Sequence, residues 1–478
     1  MALGRRKDQR QGELWIATPE LPQSPGHIFY EKLNGLLAEA GFDPWVEALC
    51  EPYYSQVGRR GIPPGVYFRM LLVGYFEGIG SQRGIAWRCS DSLSLRKFLG
   101  LAQNESSPDH SSLTVIRNRL PLEVHNQVFL WVLTLAQVKS LLKGRTIAID
   151  STTLEANAAM KSIVRKDTGD DWKEYVTRLM QDAEVIGPDE TPSLTDLIRF
   201  DKSRKDKKVS NDEWESPVDP DARITKMKDG TTHLAYKAEH AVDLETEMLV
   251  AVEICQTTQS DTRTLEDTAH LAQWNLQEAG SDVAVTDVVA DKGYHSAQGL
   301  SDMAEHTSYR TYIPEPKLPE GKQHRWTDKP ESYQEAVSGN RRRTKGDRSK
   351  RLQRLRSELV ERTFAHMCET GGARRTWLRG LESVNKRYLL SAAAHNLGLM
   401  MRKLFGMGTP RGLQGAVGAV LCAFETLWGI IKPRDVTSDV RWNANELRRA
   451  TIDQPVGTAW LISLLVGKSQ NSHFSTGC

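Results

Sequence analysis

Three acidic residues stand out by their position in the chain: Asp150, Asp291 and Glu361. The stretch TIAIDSTTLEA alternates and is rich in β-formers, so it reads as a strand ending near Asp150. DVAVTDVVADKGYH (282–295) reads as a buried strand ending at Asp291. Glu361 falls one or two turns into a helical stretch that follows a basic run. The separations are 141 (291 − 150) and 70 (361 − 291), so no local turn gathers the three and only a fold can. If the two strands are neighbours, their ends lie side by side and a packed helix can add the third carboxylate. Such a set suits Mg²⁺ or Mn²⁺, hard cations that prefer oxygen ligands. Two such ions about 3.5–4 Å apart activate the attacking oxygen and stabilise the leaving one in an in-line phosphoryl displacement. A lone aspartate at a strand end is more often a turn or cap residue, and the chain has 61 acidic residues. Spacing alone therefore leaves both readings open.

The elements that must position these residues can be read from periodicity. From His27 to about Lys143 the pattern is helical, with Phe29, Leu33, Leu36, Leu37 and Ala40 at helical spacing up to Gly41. Pro63 and Pro64 introduce a helix over 66–77, Gly78-Ile79-Gly80 breaks it, and Ser81 can cap the next at 82–89. A further short helix is expected over 93–99. Helix, glycine turn, helix is the outline of a helix-turn-helix, with Arg83, Arg88, Arg96 and Lys97 on or near it. A small helical bundle shows the same turns.

From Arg145 the pattern changes to α/β. Strands are expected at 233–242 and 248–255, joined by a hairpin turn at 243–247. Ser260 is expected to cap a helix, another follows at 297–305, and YRTYIP (309–314) reads as a strand. Helices are expected over about 352–367, carrying Glu361, and over 388–405, the latter amphipathic. Gly293 is expected to let the chain leave the strand sharply through a positive φ. Two polar stretches, about 157–230 and 315–350, look like insertions into this core. The expected organisation is a leader (1–26), a helical N-terminal domain (27–143), an α/β domain (144–405) and a helical tail (406–478).

Composition bounds the partners. The 478 residues are 39% hydrophobic and 26% charged, ordinary for a soluble globular protein. Six scattered cysteines form no CxxC pair, which argues against a disulfide framework or zinc site and suits a reducing cytosol. The first residues carry charge without an apolar stretch behind them, so no secretory signal is expected. The apolar stretches 412–431 and 456–466 read as packed helices rather than membrane spans. Net charge is only +2, but the run RRRTKGDRSKRLQRLR (341–356) has nine Lys/Arg against one Asp. Such a block is expected to stay solvated or disordered until it meets a polyanion.

The local words resemble bacterial insertion-sequence transposases of the DDE type, whose catalytic core is RNase H-like. They are AIDSTTLEAN around Asp150, AYKAEHAVDLETEML at 235–249, VVADKGYHS around Asp291, VERTFAHM around Glu361, then LRGLESV and SAAAHNLGLMM. In the N-terminal segment they are GIGSQRGIAWRCSDSLSLRKFLGL and DHSSLTVIRNRL. The resemblance covers roughly residues 27–405. It implies an RNase H-like mixed sheet with flanking helices, preceded by an all-α DNA-binding domain. It makes Asp150, Asp291 and Glu361 the catalytic ligands of two Mg²⁺ or Mn²⁺ ions. Double-stranded DNA, as terminal inverted repeats and target, is the implied partner, with Lys292, His295, Arg341, Arg342, Arg343, Lys345, Arg356, Arg362, Arg83 and Arg88 as candidate contacts. A homodimer or higher assembly on DNA, no membrane, and a bacterial cytoplasmic, nucleoid-associated location follow.

Many relatives carry a Tyr and an Arg before the Glu and a Lys after it. Here Arg354, Ser357 and Cys368 stand at those places, so phosphate clamping passes to Arg356, Arg362 or Arg374–Arg375. His366 lies about 140° round the helix from Glu361, by 3.6 residues per turn. Two other functions fit the same residues: an RNase H-like nuclease or resolvase that cuts without joining, and a non-catalytic DNA-binding derivative.

Overall fold

The computed structural model describes residues 24, 26–55, 57–58, 61–205, 209–227, 230–317, 326–327 and 329–410. Nearly all of the leader, and the apolar stretches at 412–431 and 456–466, lie outside the described residues.

Seven helices come first: α1 (Ile28–Glu39), α2 (Phe42–Cys50), α3 (Pro64–Glu77), α4 (Gln82–Asp91), α5 (Leu93–Phe98), α6 (His110–Arg119) and α7 (Leu122–Val138). Their ends are written in the sequence. Gly78 has φ +70°, and the N–H groups of Gly78 and Ile79 return to the Tyr75 and Gly74 carbonyls, so α3 stops where a left-handed residue is needed. Ser81 Oγ accepts from the Gly84 N–H at 3.1 Å and starts α4. Ser92 and Asp109 begin α5 and α6 in the same manner.

The α/β part contains β1 (Thr146–Glu155), β2 (Val164–Arg165), α8 (Trp172–Asp182), α9 (Leu194–Ser203), β3 (Trp214–Glu215), β4 (Arg223–Lys226), β5 (Thr232–Asp243) and β6 (Leu249–Gln256). It continues with α10 (Asp261–Glu278), β7 (Asp287–Val289), α11 (Ala297–His306), β8 (Arg310–Tyr312), α12 (Glu331–Thr344), α13 (Asp347–Ala365) and α14 (Leu381–Phe405). The main sheet is mixed. β5 pairs antiparallel with β1 on one edge, and on the other with β4 and then β6. β7 runs parallel to β1, and β8 parallel to β7. Reading across gives β6-β5-β1-β7-β8.

Several expectations need correction. β1 does not end near Asp150 but runs on to Glu155, because the long β5 pairs with it as far as Glu155. Within 282–295 only Asp287–Val289 is strand. Ser260 precedes α10, but its hydroxyl meets Thr262 Oγ1 at 3.0 Å rather than capping the backbone. The basic run is helical, in the end of α12 and the first half of α13, because apolar Val337, Leu352, Leu359 and Val360 tie both helices to the core. α14 is not amphipathic: from Tyr388 to Met401 it is buried on all sides. It lies against α3, α7 and β6 at once, so no face is left for water. One hydrophobic core therefore runs from Phe29 to Met401 through the helical and α/β parts alike. The polar stretch 157–230 holds a small core of its own, Val176, Met180 and Leu197.

The two faces of the sheet carry different polar pairs. On β5, Lys237 and Glu239 point toward α10, and His240 points toward α13 and α14. Glu239 is fully buried and accepts from Thr264, Thr268 and the Tyr294 hydroxyl, at 3.0, 2.9 and 2.6 Å. Such a network is stable only when every member is satisfied.

Candidate active site

β1 and β7 place the two aspartates. Their parallel register pairs Ala148 with Val289, and two further residues along each chain lead to Asp150 and Asp291. The pairing ends at Val289, so Asp291 follows just past the paired part of β7, next to the strand that carries Asp150. The sheet continues past Asp150 through β1, whereas β7 stops and Asp291 begins a short 3₁₀ turn, Lys292–Tyr294. Asp291 Oδ1 accepts from the Gly293 N–H at 2.8 Å, fixing the carboxylate at the head of that turn.

Gly293 does not adopt a positive φ, contrary to expectation. Its reason is crowding. A Cβ there would sit 3.0 Å from Asp291 Oδ1 and 3.4 Å from Asp261 Oδ2. Asp261, the first residue of α10, is thus a further carboxylate beside Asp291. Its other oxygen takes Lys237 Nζ at 2.7 Å and Ser151 Oγ at 3.1 Å. Asp261 was not among the sequence candidates. The available signal was its place at the start of a helix directly behind the β5–β6 hairpin.

α13 lies across the sheet beside these strand ends. Gln353 donates to the carbonyls of Ala290 and Tyr312, just past β7 and at the end of β8. Arg356 pairs with Asp150 Oδ2, with side chains 13% and 21% exposed. Thr363 Oγ1 meets His240 Nδ1 at 2.9 Å, and His240 Nε2 meets the Tyr388 hydroxyl at 2.7 Å. Burial, with His395 adding to it, holds His240 well below the usual imidazole range, so the ring is neutral. Gln353, Arg356, Val360 and Thr363 share the sheet-facing side of α13. Glu361 lies about 140° round from Arg356 by helical geometry. It is exposed and accepts from Ser357 Oγ at 3.0 Å.

Asp150 and Asp291 therefore lie on neighbouring segments of the chain, the one meeting Arg356 of α13 and the other near Asp261 of α10, and Glu361 is on the same helix as the residue that holds Asp150. Among the described residues no group of three His, Cys, Asp or Glu side chains is close enough to hold a metal ion. The donor chemistry of the two aspartates fits a divalent cation, while the third carboxylate is not gathered with them.

The candidate DNA contacts fall into two sets. Lys292, Arg342, Lys345 and Arg83 are exposed. The others are engaged within the protein: Arg341 with Glu315 at 2.7 Å, Arg343 with the Thr311 carbonyl at 2.9 Å, Arg362 with Glu247 and Glu358 at 2.9 and 2.6 Å. Arg88 lies 3.6 Å from Glu77, and His295, nearly buried, 3.8 Å from Glu315. Arg375 stacks over the Trp377 ring at 5.8 Å, and Arg374 lies 3.8 Å from Glu369. His366 opens a π-helical segment, His366–Thr370, and burial lowers its pKa.

Comparison with known families returns two matches. Residues 20–119 match a family described as Transposase domain (DUF772), and residues 316–401 match one described as Transposase DDE domain. The second match spans α12 to α14 and includes Glu361, while Asp150 and Asp291 lie outside both. No curated protein matches the chain, and no solved structure does.

Proposed function

The two matched domains support an insertion-sequence DDE transposase, and from that premise we propose that Asp150, Asp291 and Glu361 form its strand-cleavage and strand-transfer site. The observation that carries this reading is the parallel pairing of β1 with β7, with Asp150 on the one and Asp291 just past the end of the other, beside the helix of the DDE match. The sheet order supports an RNase H-like core: three antiparallel strands, then two parallel ones, with the carboxylates at β1 and just past β7.

The transposase DDE family generally uses divalent metal ions. In this chain Asp150 and Asp291 would hold them, with Glu361 joining through a change in α13 or its side chain. When bound, Mg²⁺ or Mn²⁺ supplies Lewis-acid activation of the attacking oxygen and stabilisation of the leaving one. The chain's own residues do the rest. Arg356 balances the charge of Asp150 between reactions. Gln353 pins α13 to the ends of β7 and β8. Lys292, exposed beside Asp291, meets the DNA backbone, and the helical segment around α4 contacts the terminal repeats. Phosphate contacts supply salt-dependent affinity, while base contacts choose the sequence. Water attack frees a 3′ hydroxyl at the element end, and that hydroxyl then displaces a target phosphodiester, so one P–O bond forms for each one broken. Two ends must be held together, which calls for a dimer or larger assembly on DNA.

The test is Asp150→Asn, Asp291→Asn and Glu361→Gln, each assayed for repeat binding and for Mg²⁺-dependent cleavage. Binding is retained, and cleavage falls on the order of a hundredfold or more. Normal cleavage by any variant removes that residue from the site. Joining of a pre-cleaved end separates a transposase from a nuclease that only cuts. The exposed placement of Glu361 favours one other reading, a DNA-binding derivative without catalysis, which predicts no cleavage by the wild-type chain.

A further inference from the structure

Away from the carboxylates, a cavity of about 200 Å³ opens between the N-terminal helices and α14. Tyr67, Gln82, Arg117, Trp377 and Arg387 are among its lining residues, and no Asp or Glu is. Arg117 comes from α6, and its Nε and Nη1 are wholly buried without a hydrogen-bond partner among the described residues. Arg387 comes from α14, and its Nη2 donates to the Ile79 carbonyl at 3.1 Å, a neutral acceptor set against a full charge. The nearby carboxylate of Glu382 is already paired with Lys386 at 2.6 Å. His125, on the Tyr67 hydroxyl at 3.3 Å, is pushed down to about 4 by burial and is neutral.

Two arginines thus line one cavity to which no carboxylate among the described residues contributes. Burial pulls Arg387 down to about 10, with Tyr67 opposing and Arg117 adding to the push. A buried charge with unmade hydrogen bonds is costly, and it is tolerated where a ligand supplies the missing partner. The cavity wall also includes Ser81 and Gln82, where α4 begins, so the positive end of that helix lies at its edge. Trp377 forms the rim. It is 56% exposed and packs on Gly80, where a Cβ would come 2.8 Å from the indole nitrogen.

We infer that this cavity binds a phosphate group, held by Arg117 and Arg387 at the start of α4. Arginine forks match phosphate oxygens two at a time. The volume leaves space beyond one phosphate, and the half-exposed Trp377, with Arg375 over its ring, offers an adjoining base an aromatic and cationic neighbour. A DNA backbone phosphate is therefore the favoured source over the free ion. This site shares no residue with the proposed cleavage site, and its test requires no cleavage.

The experiment uses the full chain. Thermal melting is compared in inorganic phosphate and in chloride at equal ionic strength. Phosphate raises the Tm of the wild type and leaves Arg117→Met and Arg387→Met unmoved. In chloride, Arg117→Met melts at or above the wild type, because an unpaired buried charge has been removed. A rise in phosphate as large for Arg117→Met as for the wild type overturns the proposal, as does no rise in either. A second variant, Gln82→Glu, sets a negative charge at the rim without altering the core. With a short DNA duplex it lowers the log–log salt slope of binding by about one. That loss assigns the phosphate to DNA. A phosphate-dependent Tm rise with unchanged DNA binding upholds the site and assigns it to a free phosphate.

Discussion

β7 has an aspartate at each end, and the two have opposite surroundings. Asp287, its first residue, is fully buried. Arg348 Nη2 lies 2.6 Å from its Oδ2, and Arg310 Nε lies 3.0 Å from its Oδ1, close but outside hydrogen-bond alignment. Asp291, just past the other end, is partly exposed and accepts from a backbone N–H. The residue type is the same and the strand is the same. One end is closed by basic side chains from β8 and α13, while the other opens beside Asp150 and Asp261. A carboxylate already neutralised by two arginines is a structural tie. One held by a single N–H keeps lone pairs for a ligand.

The largest test of this contrast is stability. Asp287→Ala costs about 3 kcal/mol, because it opens a buried ion-pair site, and less than a fully buried pair would, since both arginines are half exposed. Asp291→Ala costs under about 1 kcal/mol, in the range of substitutions away from buried features. Denaturant melts of the two variants check this, and equal losses would erase the distinction.

Acid sharpens the same contrast between closed and open regions. His125 and His395 are buried, and burial pushes them down to about 4 and about 3. Their unfolded-state pKa is about 6.5, so below that value the unfolded chain takes up protons that the folded chain refuses. Their contribution is complete above about pH 6.5 and is lost as pH falls toward the folded values. Each histidine adds a slope of up to about 1.4 kcal/mol per pH unit in that window. His125→Gln removes one such slope, read as a flatter plot of unfolding free energy against pH between 6.5 and 4. An unchanged slope would mean that His125 is charged in the folded protein.

The smallest expected effect lies at the open end. Lys292→Ala leaves Tm unchanged, weakens binding to all DNA sequences alike, and lowers the log–log salt slope by about one. Fluorescence anisotropy over a salt series reads this directly, and a sequence-selective loss would mean that Lys292 reaches a base.

Much of the scaffold was legible because its signals are local. The stop at Gly78, the cap at Ser81, the β5–β6 hairpin and the strand leading to Asp291 each depend on a few neighbouring residues. The misreadings came where a distant partner decides. β1 runs past Asp150 because β5, some eighty residues later, continues to pair with it. The basic run is helical rather than loose because Val337, Leu352, Leu359 and Val360 tie its helices to the core, and Arg348 and Arg356 then meet the carboxylates of Asp287 and Asp150. Gly293 is small because Asp291 and Asp261 crowd it, which no reading of DKGYHS alone could reveal.

What the sequence by itself determined is Asp150 on a strand, a strand leading to Asp291, the helix carrying Glu361, and the two-part succession of helices and α/β units. Hydrophobic period and capping chemistry act over a few residues, so they can be read along a line. Only the tertiary structure decided that the chain carrying Asp291 runs beside the strand of Asp150, that Arg356 rather than another residue of the basic run answers Asp150, and that Asp261 stands beside Asp291. It also decided that Glu361 faces away, and that Arg117 and Arg387 share a cavity. These are pairings of charge and space between residues tens to hundreds of positions apart, and only the packing of one helix or strand against another brings them within reach.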